Sequence, residues 1–195
     1  MRALLATKNP GKVAELQRIL SLYDVELVAA SYEPGPEVGT SFAENALAKA
    51  VEGVQHTGLP SLADDSGLSV LVMNGMPGIF SARWAGRHGD DDANLQLLLA
   101  QLADVPDGIR GAAFVCAAAY ALPDGRTHVI EREMRGCVVR EPRGSNGFGY
   151  DPVFVPSGYE VTSAELSAEE KDAISHRGQA FRALAPLFAE ALMRP

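Results

Sequence analysis

The chain has 195 residues, 47% of them hydrophobic and 22% charged, and this composition argues against an intrinsically disordered or fibrous protein. Its formal net charge of -8 argues against binding along DNA or RNA, because such binding depends on clustered lysines and arginines. No apolar run approaches the roughly 20 residues of a membrane-spanning helix, and the apolar start is too short for a signal peptide. We therefore expect a cytoplasmic protein with one domain over residues 1–195, divided into two lobes.

Apolar periodicity and turn formers predict the elements of the first half of the chain. In chain order they are a strand at residues 3–6, a tight loop at 7–11, a helix through residue 20, a strand at 26–29, a loop at 32–40, a helix from residue 41, and strands at 59–63 and 68–72. Asn9 is the expected N-cap of the first helix, with Pro10 in its first turn. Asp64-Asp65-Ser66-Gly67 is predicted to form a turn between the last two strands.

The second half continues the alternation of apolar segments and turns. Its predicted elements are a loop at residues 74–78, a helix at 93–102, a strand at 112–121, a turn at 123–125, one or two antiparallel strands at 127–139 bent at Gly136, a loop at 142–151, a strand at 153–155, and helices opening at Ser167 and Ser175. Cys116 and Cys137 lack the paired spacing of a zinc or redox motif, so we expect two buried, reduced thiols.

The lysine-bearing loop Thr7-Lys8-Asn9-Pro10-Gly11-Lys12 is the first candidate site. It leads from a strand into a helix, whose free backbone N–H groups and neighbouring lysines attract phosphate. It is not a P-loop, because Val13 stands where that motif requires Ser or Thr. A capped helix start without a ligand explains the same residues equally well.

Two adjacent carboxylates, Asp64 and Asp65, form the second candidate site. They lie between apolar strands, where an ionised carboxylate is costly unless a partner compensates it. Mg²⁺ takes oxygen ligands from one or two carboxylates and keeps water or substrate phosphates as its other ligands, so the pair suits this ion. Neighbouring side chains of a strand point to opposite faces, and we expect only one aspartate to face the site. An Asx-turn without a ligand is the alternative.

A glycine-rich loop at residues 144–152 is the third candidate. Glycines let the backbone approach a ligand closely, and the rings of Phe148 and Tyr150 could stack on a base. The loop does not match the dinucleotide-binding fingerprint, because Asp151 and Pro152 stand where that pattern requires its third glycine. A plain hairpin loop is the alternative.

Cationic side chains near the last helix form the fourth candidate. Lys171 and the segment Ser175-His176-Arg177 carry donors suited to oxygen acceptors. A surface lysine and a capped helix are the alternatives, and Ser167 with Glu170 forms a capping box that needs no ligand. The acids at residues 90–92 are assigned to capping a helix rather than to a metal ion.

Six motifs occur in one order along nearly the whole chain. They are Ala6-Thr7-Lys8-Asn9-x-x-Lys12, Ser41-Phe42-x-x-Asn45-Ala46-x-x-Lys49-Ala50, Ala63-Asp64-Asp65-Ser66-Gly67-Leu68, Pro77-Gly78-Ile79-x-Ser81-Ala82-Arg83, Phe148-Gly149-Tyr150-Asp151-Pro152 and Ser175-His176-Arg177-Gly178. With this combination the chain resembles the inosine/xanthosine triphosphate pyrophosphatase family. The resemblance implies an α/β fold, an elongated mixed β-sheet with flanking helices and two lobes around a central substrate cleft, and a homodimer.

The resemblance also implies roles for the matching residues. Asp65 is the expected general base and Mg²⁺ ligand, supported by Asp64. An additional acidic ligand falls on Glu33, Glu37 or Glu44, and we favour Glu37. The residues expected to contact the nucleotide are Thr7, Lys8, Asn9, Pro10, Gly11 and Lys12 at the triphosphate, Ser66, and Phe148, Gly149, Tyr150, Asp151, Lys171, His176 and Arg177 around the base.

The implied reaction is hydrolysis of the triphosphates of damaged purines, ITP, dITP and XTP, to the monophosphate and pyrophosphate. Hypoxanthine and xanthine present an acceptor oxygen at position 6, which matches the donors of Lys171 and Arg177, whereas adenine presents an amino donor there. A related pyrophosphatase acting on modified pyrimidines or standard nucleotides and a catalytically silent nucleotide sensor are the alternatives. The motif at residues 148–151 disfavours the first, and an intact Asp65 disfavours the second.

Overall fold

The computed structural model describes residues 2–21, 23 and 25–193, and strands and helices alternate along much of the chain. The strands are β1 (Arg2–Leu5), β2 (Glu26–Ala29), β3 (Ser61–Val70), β4 (Gly111–Ala121), β5 (Thr127–Val138) and β6 (Phe154–Pro156). The helices are α1 (Pro10–Leu20), α2 (Phe42–Thr57), α3 (Asp91–Gln101), α4 (Ala168–Ile174) and α5 (His176–Met193). Short 3-10 helices lie at Leu71–Met73, Gly78–Arg83, Asp107–Ile109 and Asp151–Val153. Among the helices described, none is long and apolar enough to span a membrane.

Local capping explains where the helices begin. Asn9 caps α1, with Pro10 as its first residue, and Ser41 caps α2. Ser167 opens α4 through the predicted capping box. These starts are confirmed, and the capping role predicted for the acids at residues 90–92 is confirmed for Asp90, whose side chain accepts from the Ala93 N–H in the first turn of α3.

The six strands form one mixed sheet with the order β2-β1-β3-β4-β5-β6. β1 runs parallel to both of its neighbours, and in this register Leu4 pairs with Val28 of β2 and with Ser61 of β3. β6 runs antiparallel to β5 and so close to it that a Cβ at Gly136 would lie 2.2 Å from the Val155 carbonyl oxygen. The predicted α/β class, with a mixed sheet and flanking helices, is confirmed. The two lobes around a central substrate cleft stay a prediction.

Two compact units divide the chain, and each has its own core. Unit 1 comprises Met1–Asp65, Cys116–Arg132 and His176–Pro195. In this unit Phe181, Leu184 and Phe188 recur at helical spacing along α5 and are almost completely buried. They belong to one apolar cluster with residues of α1, β1, β3 and β4, and each such side chain contributes roughly 1.5–3 kcal/mol through burial.

Unit 2 comprises Ser66–Val115 and Glu133–Ser175. Its core includes Phe114 and Phe154, whose rings meet edge to face with centroids 4.7 Å apart. Arg110 is also buried here, and its guanidinium donates to three backbone carbonyls, among them those of Leu102 and Val138. This cation therefore satisfies acceptors at the end of α3 and β5 that would otherwise need other partners.

The predicted turn at Asp64-Asp65-Ser66-Gly67 is wrong, because all four residues lie within β3. Their turn propensity is overridden by tertiary contacts, which include ion pairs from distant residues to both carboxylates. Gly67 serves close packing instead of a turn, since a Cβ there would lie 2.3 Å from the Ser81 hydroxyl oxygen.

Smaller differences concern strand ends and one cysteine. β3 ends at Val70, and residues 127–138 form a single strand. Val153 belongs to a 3-10 turn, so β6 begins one residue later than predicted. Both cysteines are free, but only Cys116 is buried, whereas Cys137 near the end of β5 is half-buried.

Candidate functional site

The lysine-bearing loop is folded around Asn9. The Asn9 side-chain oxygen accepts from the backbone N–H groups of Gly11 and Lys12 at 2.9 and 3.2 Å. The backbone N–H of Asn9 donates to the Thr7 hydroxyl at 3.3 Å. Two of the amides predicted to attract phosphate are therefore engaged by the cap. What the loop presents is the Thr7 hydroxyl and two ammonium groups, those of Lys8 and Lys12.

Asp64 is buried between two cations of unit 1. Its carboxylate lies 2.9 Å from the Lys12 ammonium and 3.2 Å from Nε of Arg177. Burial raises the pKa of Asp64, but the charges of Lys12, Arg177 and Lys49 outweigh it and hold that pKa well below its ordinary value. Asp64 is therefore an ionised anchor that connects the start of α1 with the start of α5.

Glu15 completes a buried charge network, which we define as Lys12, Glu15, Asp64 and Arg177. Glu15 and Arg177 are 3% and 2% exposed, and the Arg177 guanidinium donates to the Glu15 carboxylate. Burial lowers the pKa of Arg177, but Glu15 and Asp64 outweigh it and raise that pKa. Two carboxylates thus balance two cations, the arrangement that makes buried charges tolerable.

Glu15 was not among the residues predicted from the sequence. A signal for it was present, because Glu15 stands beside Leu16 on the buried stripe of α1 and three residues after Lys12. A charged residue on the apolar face of a helix is rarely left without a partner. The partner itself could not be predicted, since Arg177 lies 162 positions along the chain.

Asp65 is held by two residues of α2. Its carboxylate accepts from the Asn45 side-chain amide at 3.0 Å and from the Lys49 ammonium at 2.9 Å. Burial raises the pKa of Asp65; Lys49 and Lys12 lower it and Glu37 raises it, so it ends above its ordinary value. Asn45 and Lys49 are one helical turn apart, which places both side chains on the same face of α2.

The Lys49 ammonium also lies 2.5 Å from the Glu37 carboxylate, so Glu37 and Asp65 converge on one cationic point. The other two acids considered from the sequence have different partners. Glu33 pairs with Lys8, and Glu44 accepts from the Thr40 N–H and hydroxyl. Of the three, Glu37 is the acid that the structure brings to Asp65.

The donors of this pair fit a hard divalent cation. Both are carboxylates, and their convergence on the Lys49 ammonium shows that they can face one positive charge. The described residues contain no group of three or more His, Cys, Asp or Glu side chains arranged to hold a metal ion. An ion held by Glu37 and Asp65 would therefore complete its shell with water or substrate oxygens, as Mg²⁺ commonly does.

A second group of predicted residues lies together in unit 2. Lys171 is 8% exposed, and its ammonium pairs with the Asp151 carboxylate. The same ammonium lies 5.2 Å from the centre of the Phe148 ring, within cation–π range. Asp151 also accepts from the Phe148 N–H at 2.9 Å. One carboxylate thus holds both the aromatic residue and the cation.

The remaining predicted residues have varied surroundings. Tyr150 is buried in the core of unit 2, and its hydroxyl donates to the Ser81 carbonyl at 2.9 Å. Burial raises the pKa of this phenol, which therefore stays protonated. Ser66 is half-buried in β3, and His176 is buried at the first position of α5.

Comparison with known proteins identifies close relatives. A Ham1 family model matches residues 3–187. The dITP/XTP pyrophosphatase of Mycobacteroides abscessus is 57% identical over 194 residues, which is 96% of this chain and 94% of that protein. The dITP/XTP pyrophosphatase of Streptomyces coelicolor is 57% identical over 197 residues, which is 98% of each.

Solved structures of similar proteins align with this chain over nearly its full length. The Mycobacterium abscessus nucleoside-triphosphatase / dITP/XTP pyrophosphatase aligns with a TM-score of 0.77 at 57% identity, covering 96% of this chain and 99% of that one. A HAM1 protein from Coxiella burnetii aligns with a TM-score of 0.88 at 39% identity, covering 97% and 99%. The resemblance inferred from the six motifs is therefore confirmed.

Proposed function

The chain belongs to the Ham1 family, and from that premise we propose that it hydrolyses ITP, dITP and XTP to the monophosphate and pyrophosphate. The names of relatives at 57% identity over nearly the full length support this substrate class. The observation that carries the proposal is the pair of carboxylates in unit 1: Glu37 and Asp65 converge on Lys49, next to an Asp64 that holds Lys12.

The triphosphate is assigned to the lysine-bearing loop. Thr7 offers a hydroxyl, and Lys8 and Lys12 offer two ammonium groups at the start of α1, where the helix dipole adds further positive potential. Asp64 orients Lys12 by a 2.9 Å ion pair. Neutralising and aligning the phosphates is the principal demand of phosphoryl-transfer chemistry, and this loop supplies both.

Mg²⁺ is the metal we assign to Glu37 and Asp65, because both donors are hard oxygen ligands. When bound there, the ion supplies positive charge that polarises phosphoryl oxygens. The two carboxylates already stabilise the positive charge of the Lys49 ammonium, which is the property that a cation site requires.

Asp65 is the proposed general base. Asn45 and Lys49 fix its two carboxylate oxygens, which gives the side chain one orientation. In the reaction Asp65 accepts a proton from water while the water oxygen bonds to phosphorus and the anhydride bond to pyrophosphate breaks. A positioned base of this kind typically contributes about 100- to 10,000-fold in rate.

The base of the nucleotide is assigned to Phe148 and Lys171, both in unit 2. Phe148 offers a ring face, and Lys171 offers a donor matched to the oxygen at position 6 of hypoxanthine and xanthine. Guanine shares this oxygen, so its exclusion is assigned to contacts around its 2-amino group. Arg177 has its guanidinium committed to Glu15 and Asp64, so a contact between Arg177 and the base would require these ion pairs to open.

A cytoplasmic homodimer is the proposed working form, as the family resemblance implies. Apolar side chains exposed in unit 2 support a protein contact there, since Leu71, Met76 and Phe80 are 73%, 41% and 40% exposed. Small nucleotides rather than nucleic-acid polymers are the expected partners, in keeping with the net charge of -8.

One assay tests the proposed function. The purified protein is incubated with ITP, XTP, GTP or ATP and Mg²⁺, and the released phosphorus product is identified. We expect pyrophosphate from ITP and XTP, with much lower kcat/KM for GTP and ATP. Orthophosphate as the product, equal turnover of ATP and ITP, or binding without turnover would overturn the proposal.

A further inference from the structure

The two peptide groups on either side of the Phe148 Cα each donate a hydrogen bond to a carboxylate. The N–H of Phe148 donates to Asp151 at 2.9 Å. The N–H of Gly149, which belongs to the following peptide group, donates to Asp91 at 2.9 Å. Because a peptide group is planar, fixing one N–H on each side of a residue restrains both of its backbone dihedrals. The direction in which the Phe148 side chain leaves the backbone therefore depends on both carboxylates.

Asp91 is not needed to start its own helix. Asp90 is the N-cap of α3 and accepts from the Ala93 N–H at 3.2 Å. The carboxylate of Asp91 instead reaches a backbone group 58 positions along the chain. Its neighbour Asp92 is equally acidic and exposed, which makes it a matched control. The position of Asp91 thus serves the loop at residues 147–151.

The two glycines of the loop have different surroundings. Gly147 and Gly149 have φ angles of 75° and 62°, a region open chiefly to glycine. At Gly147 a Cβ would lie 2.1 Å from the Asp151 carboxylate, so this part of the loop is already in tight contact. At Gly149 a Cβ would meet no atom within 4 Å, and the hydrogen bond to Asp91 restrains the Gly149 amide.

We propose that Asp91 is a positioning residue that sets the orientation of Phe148 for base binding, an inference that rests on the proposed function. Phe148 and Lys171 are 5.2 Å apart as ring and cation, so a rotation of the ring also changes the surroundings of the ammonium. Losing Asp91 weakens the base contact without touching the carboxylates in unit 1. We therefore expect the loss of Asp91 to change KM and base selectivity rather than kcat.

The test compares Asp91→Ala and Asp91→Asn with Asp92→Ala and Asp90→Ala. Asp91→Asn keeps an oxygen acceptor, Asp92→Ala removes the same charge from the same turn, and Asp90→Ala removes the helix cap. Steady-state kinetics with ITP and GTP give kcat and KM. Hydrogen exchange of the segment at residues 147–151, measured without nucleotide, reports the loop independently of turnover.

For Asp91→Ala we expect a three- to tenfold higher KM for ITP, a kcat within twofold of wild type, and faster exchange at residues 147–151. This change in KM is about what the net contribution of one hydrogen bond provides. Asp91→Asn should restore most of the loss, and Asp92→Ala should change neither readout. Asp90→Ala should lower the unfolding temperature with the KM retained.

Unchanged KM or unchanged exchange in Asp91→Ala would overturn the role of Asp91, provided that the wild type releases pyrophosphate from ITP. A wild type without that activity would overturn the proposed function instead, and the role of Phe148 in base binding with it. The exchange measurement separates the two failures, because it requires no substrate.

Discussion

Asp64 and Asp65 are neighbours in one strand, are both buried, and have pKa values displaced in opposite directions. Burial raises the pKa of each. At Asp64 the cations Lys12 and Arg177 lower the pKa by more than burial raises it. At Asp65 Glu37 partly cancels the lowering of the pKa by Lys49. The alternation of side chains along β3 accounts for this difference, because it turns the two carboxylates towards different sets of charges.

Asp65→Asn should abolish most of the activity and leave the fold intact. The amide is nearly the same size and still accepts a hydrogen bond, but it cannot take a proton from water. We expect kcat for ITP to fall by about 100-fold or more. Pyrophosphate release measures the loss, and circular dichroism checks the fold. Near-normal turnover in a folded variant would remove Asp65 from the role of base.

Glu37→Gln should weaken Mg²⁺ binding more than Glu33→Gln. Glu37 shares Lys49 with Asp65, whereas Glu33 pairs with Lys8 and is largely exposed. The loss of one carboxylate ligand should raise the Mg²⁺ concentration for half-maximal activity by about tenfold or more, a loss at least as large as that of an outer-shell partner. Titration of Mg²⁺ at saturating ITP measures it. A larger effect from Glu33→Gln would transfer the ligand role to Glu33.

Glu15→Gln should destabilise the protein strongly. It leaves the buried charge network with two cations and one carboxylate, and breaking a buried ion pair typically costs about 3–5 kcal/mol. The control is Glu26→Gln, which breaks an exposed pair with Arg2 and should change stability by less than about 1 kcal/mol. Urea denaturation gives both values, and equal stabilities would show that Glu15 does not support the network.

Gly147→Ala should impair base binding. A Cβ there would meet the Asp151 carboxylate at 2.1 Å, and Asp151 in turn holds Phe148 and Lys171. We expect KM for ITP to rise by about tenfold, equivalent to about 1.4 kcal/mol of lost binding. Gly158→Ala provides the control, because its φ is also positive but open space surrounds it. If both variants raised KM equally, backbone strain alone would explain the effect.

Cys116 should resist alkylation in the native protein. Burial raises the pKa of its thiol, and the reactive species is the thiolate. Iodoacetamide at pH 8 should modify Cys137 first, since Cys137 is half-buried, and should reach Cys116 only after denaturation. Mass spectrometry of the peptides identifies the modified residue. Rapid labelling of Cys116 in the folded protein would contradict its burial.

Sequence reasoning succeeded where local chemistry decides the structure. The cap at Asn9 and the helix start at Ser41 depend on hydrogen bonds within a few residues, and the bounds of strand β2 agree with the prediction. The prediction was wrong at Asp64-Asp65-Ser66-Gly67, whose local preference for a turn is overridden by partners far along the chain. Glu15 and Asp91 were missed as partners for the same reason: neither Arg177 nor Gly149 is near them in sequence.

The unbroken course of β3 constrains how this chain can change length. In a strand the side-chain direction repeats every two residues, so one residue inserted or deleted between Ser61 and Asp64 would exchange the faces on which the two carboxylates stand. A deletion would bring Asp65 to the position of Asp64, beside Lys12 and Arg177, whereas an insertion would bring Asp64 to the position of Asp65, beside Lys49. Single-residue insertions should consequently be tolerated in surface turns such as residues 123–125 and should be disruptive between Ser61 and Asp64.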